Sequence, residues 1–190
     1  LLPLASAAAA LIIVATAGVY LALPQSAQAA QARLAEIHGH NLSPHQEFYT
    51  RADPAELARY LKHRLGFHAA VPRLNAGMSI RGCCMSHFRG KPAGSYVVDT
   101  PRGVISVIVM AHAPESLGMQ TELHRGGRTY RVGSFKMCNM AAVKLGRFTY
   151  CAVGNVPRTF LADLLGLLVS PDRSGWKYSK QPSATRAHQE

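Results

Sequence analysis

Apolar and polar positions alternate differently in successive parts of this chain. Residues 1–23, LLPLASAAAALIIVATAGVYLAL, contain no Lys, Arg, Asp or Glu, and their polar side chains are hydroxyls only. As a helix they would reach roughly 34 Å, enough to cross a bilayer core of about 30 Å. The pattern predicts a transmembrane helix, with Ala5, Ala9 and Gly18 as the small residues that let another helix approach. A cleaved signal peptide is the rival, because Ser26-Ala27-Gln28-Ala29 has small residues at the right spacing, but the basic leader of a signal peptide is missing. Residues 24–50 read as a connector in which AQAAQARLAEIH continues the helix until Gly39, Asn41 and Pro44 stop it.

The 3.6-residue period then appears clearly. Asp53 caps, Pro54 suits the first turn, Glu56 completes a capping box, and Leu57, Tyr60, Leu61 and Leu65 share one face before Gly66. From Met78 the period shortens to two. MSIRGCCMSHF, AGSYVVDT, GVISVIVMA, RTYRVGSF, MAAVKLG and RFTYCAVG are strand-like runs, with turns at Pro101-Arg102-Gly103, Gly126-Gly127 and Leu145-Gly146-Arg147. A helix from Pro157 to Leu168 follows, and 170–190 form a basic extended tail. The expected fold class is α+β: one N-terminal transmembrane helix, then a small antiparallel-sheet domain over 51–169 flanked by helices.

Charge narrows the choice of partner. All 21 Lys and Arg follow the apolar segment, against 10 Asp and Glu, giving a formal net charge of +11. A basic domain tethered at a membrane attracts anionic lipid headgroups or an acidic subunit. Nucleic acid is not expected, since no motif interleaves basic and aromatic residues. By itself the charge bias would place the domain in the cytoplasm, but that rule weakens for long translocated domains.

Candidate chemistry centres on Gly82-Cys83-Cys84-Met85-Ser86-His87. On a regular strand, Cys84 falls on the more apolar face with Ile80 and Phe88, while Cys83, Met85 and His87 share the other. Those three are soft and imidazole ligands suited to a metal such as Cu(I), although one straight strand would strain to bring them together. The stronger expectation is a disulfide from Cys84 to Cys138 or Cys151, contributing on the order of 4 kcal/mol, with buried thiols as the alternative. His38, His40 and His45 form a small patch in the connector. No GxSxG, HExxH, GxxxxGK[ST] or CxxCH occurs, so neither an enzyme nor a cofactor is expected.

The order "DPAELARYLKHRLGF", "VPRLNAGMSIRGCC", "GKPAGSYVV", "RGVISVIVM" and "GRFTYCAVGNVPRTFLADLL" resembles the extracytoplasmic domain of transmembrane anti-sigma factors and related transmembrane regulators, over about 50–168. The resemblance implies a small α+β sensor or protein-binding module on the periplasmic side of a bacterial inner membrane. The cytoplasmic sigma-binding domain of that family has no counterpart within these residues. The expected function is therefore a non-enzymatic, single-pass accessory or scaffold subunit of a larger membrane complex, such as a photosynthetic or respiratory one. It would dock on integral membrane subunits. The alternative is an anti-sigma-like regulator sensing oxidant or metal through its cysteines.

Overall fold

The computed structural model describes residues 27–49, 54–72, 74 and 77–168. The predicted membrane helix with Ala5, Ala9 and Gly18, the Asp53 cap and the tail 170–190 lie outside the described residues. Among the described residues, no helix is long and apolar enough to cross a membrane.

The strand-like runs form one antiparallel sheet of seven strands: β1 (Ser79–Phe88), β2 (Lys91–Thr100), β3 (Gly103–Met110), β4 (Thr121–Arg125), β5 (Arg128–Phe135), β6 (Cys138–Leu145) and β7 (Phe148–Gly154). Their order is β1-β2-β3-β7-β6-β5-β4. Two meanders, β1–β3 and β4–β7, thus lie side by side. A 3-10 helix (Pro114–Leu117) carries the chain from β3 to the far edge, so the last strand returns to pair with β3 in the middle. Six of the seven strands coincide with predicted runs. β4 was not expected, because TELHR shows no apolar alternation and none of its residues is fully buried.

Both faces of the sheet are covered. α2 (Pro54–Leu65) lies over β1–β2 and α3 (Arg158–Gly166) over β4–β7 on one face. Leu57, Leu61, Leu161 and Leu165 meet Tyr96, Val107, Val109, Val143 and Tyr150 there. The other face is covered by α1 (27–41), whose Ala30, Leu34 and Ile37 pack with Ile108, Met110, Met140 and Val153. The helix expected within the connector is present over 27–41, and it packs in the core. Its apolar stripe is only three residues wide among Ala and Gln, which looks like a helix continuing out of lipid until a second apolar sheet face is seen to need it. Unbroken burial from Ile105 to Met110 shows that need directly, since a strand facing water on one side would alternate.

The helix stops follow local chemistry. Gly66 takes the left-handed conformation at φ 74°, and its N–H reaches the Lys62 carbonyl at 2.8 Å, as a glycine stop predicts. Pro157 precedes the first turn of α3.

If α1 is core, Leu34→Ala, at a fully buried position, should lower unfolding free energy by about 2–5 kcal/mol in a denaturant titration. A change near zero would return 27–41 to the role of a connector.

Candidate functional site

The strand with adjacent cysteines is not regular. Ile80 pairs with Val98 but Gly82 with Val97, so Arg81 is an extra residue in a β-bulge. One extra residue reverses which side chains face which way. Cys83 and Met85 therefore join Ile80 on the α2/α3 face, opposite to the expected division. The bulge needs glycine, because a Cβ on Gly82 would lie 2.7 Å from Cβ of Phe48. Segment 48–49 runs along this edge, and Tyr49 and Cys83 exchange two backbone hydrogen bonds of 3.1 and 3.2 Å. The edge strand is thereby capped, and Tyr49 stacks on Tyr60 of α2 with ring centres 3.9 Å apart.

The expected polar face of Cys83, Met85 and His87 does not exist. Cys83 is 1% exposed in the core, Met85 is half-buried and His87 is exposed, so the three run from interior to solvent instead of converging. Among the described residues, no three His, Cys, Asp or Glu side chains gather as a metal site would require.

All four cysteines are free thiols. Cys84, Ser95, Ile108 and Cys151 occupy one cross-strand row, which puts Cys84 and Cys151 three strand spacings apart. That is about 14 Å at the usual 4.8 Å spacing, twice the Cα reach of a disulfide. Cys138 is no nearer: Cys151 pairs with Ala142, four residues along β6 from Cys138, and Cys84 lies beyond β7, β3 and β2. The bridges expected from Cys84 to Cys138 or Cys151 are therefore out of reach in this register. Burial raises the Cys83 thiol to about 12, with its neighbour Cys84 adding to the shift. Burial raises Cys84 to about 11, partly offset by hydrogen bonds from Gln46 and Ser95. Burial pushes Cys151 and Cys138 upward as well. Such thiols are poor nucleophiles, because the thiolate is the reactive form.

The histidine patch also divides. His40 and His45 are exposed, but His38 is buried with Asn41, Ser95 and Ser106 between α1 and the sheet. Asn41 Nδ2 donates to Oγ of both Ser95 and Ser106 at 3.1 Å. Ser106 Oγ stands 2.9 Å from His38 Nδ1. Having accepted from Asn41, the Ser106 hydroxyl has its own hydrogen to give to Nδ1, which favours neutral imidazole protonated at Nε2. Burial lowers the His38 pKa in the same sense. The contact has the geometry of a base beside a hydroxyl nucleophile, yet Ser106 is sealed at 0% exposure and no substrate reaches it. The cluster fixes the register of α1 on β2 and β3. Sequence reading missed it; the signal was a serine inside each of two apolar strands.

Two open clefts flank the β4–β5 hairpin. One, of about 500 Å³, lies against α3, where Arg125 forms a two-bonded ion pair with Asp163 beside Arg128 and Tyr130. The other, of about 670 Å³, holds Thr129, Lys144 and the Glu122–Arg131 pair at 3.0 Å. Asp163 and Glu122 are held in these ion pairs.

Thiol titration of the folded chain should modify Cys138 first, and the remaining three only on unfolding; rapid labelling of Cys83 would contradict the sealed edge. Stability should also depend on pH. The unfolded chain takes a proton near pH 6.5 that folded His38 resists, so stability is full above about 6.5 and falls as pH drops below it. His112, also lowered by burial and by Lys91 and Arg89, adds to the slope. His38→Gln should flatten the dependence measured by denaturation between about pH 7 and 5, a window that spans the free imidazole value; an unaltered slope would leave His112 as its source. Neither a protein-family model nor any curated protein sequence matches the chain.

Proposed function

We propose that this chain is a non-enzymatic, membrane-anchored accessory subunit whose basic domain docks on integral membrane partners at the periplasmic face of a bacterial inner membrane. One observation carries the reading: Cys83, Cys84, Cys151, His38 and Ser106 are buried, and the half-buried Cys138 has its thiol raised by burial. What the domain presents to its surroundings is a polar, cationic exterior on a sheet closed by helices on both faces. A site for chemistry requires access for substrate, whereas a docking surface requires only shape and charge. The apolar segment 1–23 supplies the tether in this reading. An energy-transducing assembly, photosynthetic or respiratory, is one class of host for such a subunit.

The buried thiols weigh for the scaffold over the oxidant- or metal-sensing regulator. A sensor cysteine needs solvent access and an accessible thiolate.

Solubilisation of native membranes in mild detergent should retain the chain in fixed ratio with integral membrane subunits, as quantified by mass spectrometry. Recovery of the chain alone, or with a sigma factor, would sink the scaffold reading.

A further inference from the structure

Three hairpin turns of this chain share a composition: Arg89-Gly90-Lys91, Arg125-Gly126-Gly127-Arg128 and Lys144-Leu145-Gly146-Arg147. Each places cations on both sides of glycine. Gly90, Gly126, Gly127 and Gly146 all have positive φ, which explains the glycines as turn residues. It does not explain the cations.

Topology brings the three turns together. Strands alternate in direction across the sheet, so the β1–β2, β4–β5 and β6–β7 turns emerge at one end, and the β2–β3 and β5–β6 turns at the other. At 4.8 Å per strand, the three tips stand about 14 and 10 Å apart in a line across the sheet end. Five of their six cations are exposed and Arg128 is half-buried. The last turn of α2 reaches the same end, since Leu65 packs over Gly94 near the start of β2 and Phe67 stacks on Phe148 at the start of β7. It adds exposed Lys62 and Arg64. Acidic groups there include Glu115, Glu122 and Asp163, with Glu122 paired with Arg131 and Asp163 with Arg125. The two turns at the opposite end carry one cation each, Arg102 and Lys136.

We infer that this end of the sheet is a docking surface for anionic phospholipid headgroups, lying against the membrane that holds the tether. The inference rests on the membrane-anchored reading above and adds which surface faces the lipid. Lipid fits better than an acidic protein for two reasons. A protein interface has an apolar centre, yet among the described residues the two large exposed apolar side chains, Leu42 and Met137, lie elsewhere: Leu42 follows α1, and Met137 is in the β5–β6 turn at the opposite end. The cations are also spread as separate points on short turns, which suits a diffuse anionic plane better than one carboxylate. Each basic residue close to such a plane strengthens association about fivefold, an effect that salt screens.

The full chain should be reconstituted in phosphatidylcholine vesicles and in vesicles of two parts phosphatidylcholine to one part phosphatidylglycerol. Amine acylation is then read by mass spectrometry, with Lys136 as the internal reference for Lys91 and Lys144. In anionic vesicles, Lys91 and Lys144 should react about fivefold more slowly relative to Lys136. High salt should erase the difference, and R89Q/R147Q, at exposed turn positions, should remove most of it. An identical ratio in both vesicle types, or protection of Lys136 instead, overturns the inference. Protection in neutral vesicles that appears only with a co-purified acidic subunit also overturns it, in favour of protein docking. The anchored reading fails separately, if the chain does not float with neutral vesicles; salt-sensitive protection of Lys91 and Lys144 on anionic vesicles would still uphold the surface.

Discussion

The pairing of β3 with β7 is the constraint on which the rest of the structure depends. These strands are distant in sequence, and their contact from Ser106↔Val153 to Met110↔Thr149 joins two meanders into one sheet. Both carry apolar side chains on both faces, Val107 and Ala152 toward α2 and α3, Ile108 and Val153 toward α1. A sheet centre of that kind is stable only with a layer of helix on each side. The recruitment of α1, the crossing of the 3-10 helix and the path of 42–49 around the β1 edge all satisfy that requirement.

Covering both faces decides what the domain can do. Thiols that would be accessible on a one-sided sheet become core residues, with the pKa values of buried groups. Polar atoms trapped between α1 and the sheet need partners, and His38, Asn41, Ser95 and Ser106 provide them for one another. A satisfied cluster of this kind selects one placement of a helix whose apolar stripe is too narrow to select it alone. On the other face, hydroxyls of Tyr150 and Tyr96 do similar work by holding the Ala70 backbone, at 2.7 and 3.3 Å.

With the faces closed, the edges and ends of the sheet remain for contact with other molecules. One edge is capped by Tyr49 and the other is the short, polar β4, so neither invites strand addition. The ends differ in charge, because an antiparallel sheet sends alternate turns in opposite directions. Net charge alone made the chain basic; connectivity made one end of it basic.

The α+β class, the positions of α2 and α3, six strands and the turns at Gly103, Gly126-Gly127 and Gly146 were legible in the sequence, because glycine, proline and side-chain period act within a few residues. β4 was not, since a polar edge strand owes its form to β5. The role of α1 was not, since its stripe has meaning only against the face it covers. The facing of Cys83 turned on one bulge, for which Gly82 within a strand was the available signal. Cysteine count suggested bridges, but only cross-strand register could say that Cys84, Cys138 and Cys151 stand apart. Local sequence determined the elements and their boundaries. Tertiary structure decided burial, register and the end to which each turn points, because these depend on contacts between residues far apart in the chain.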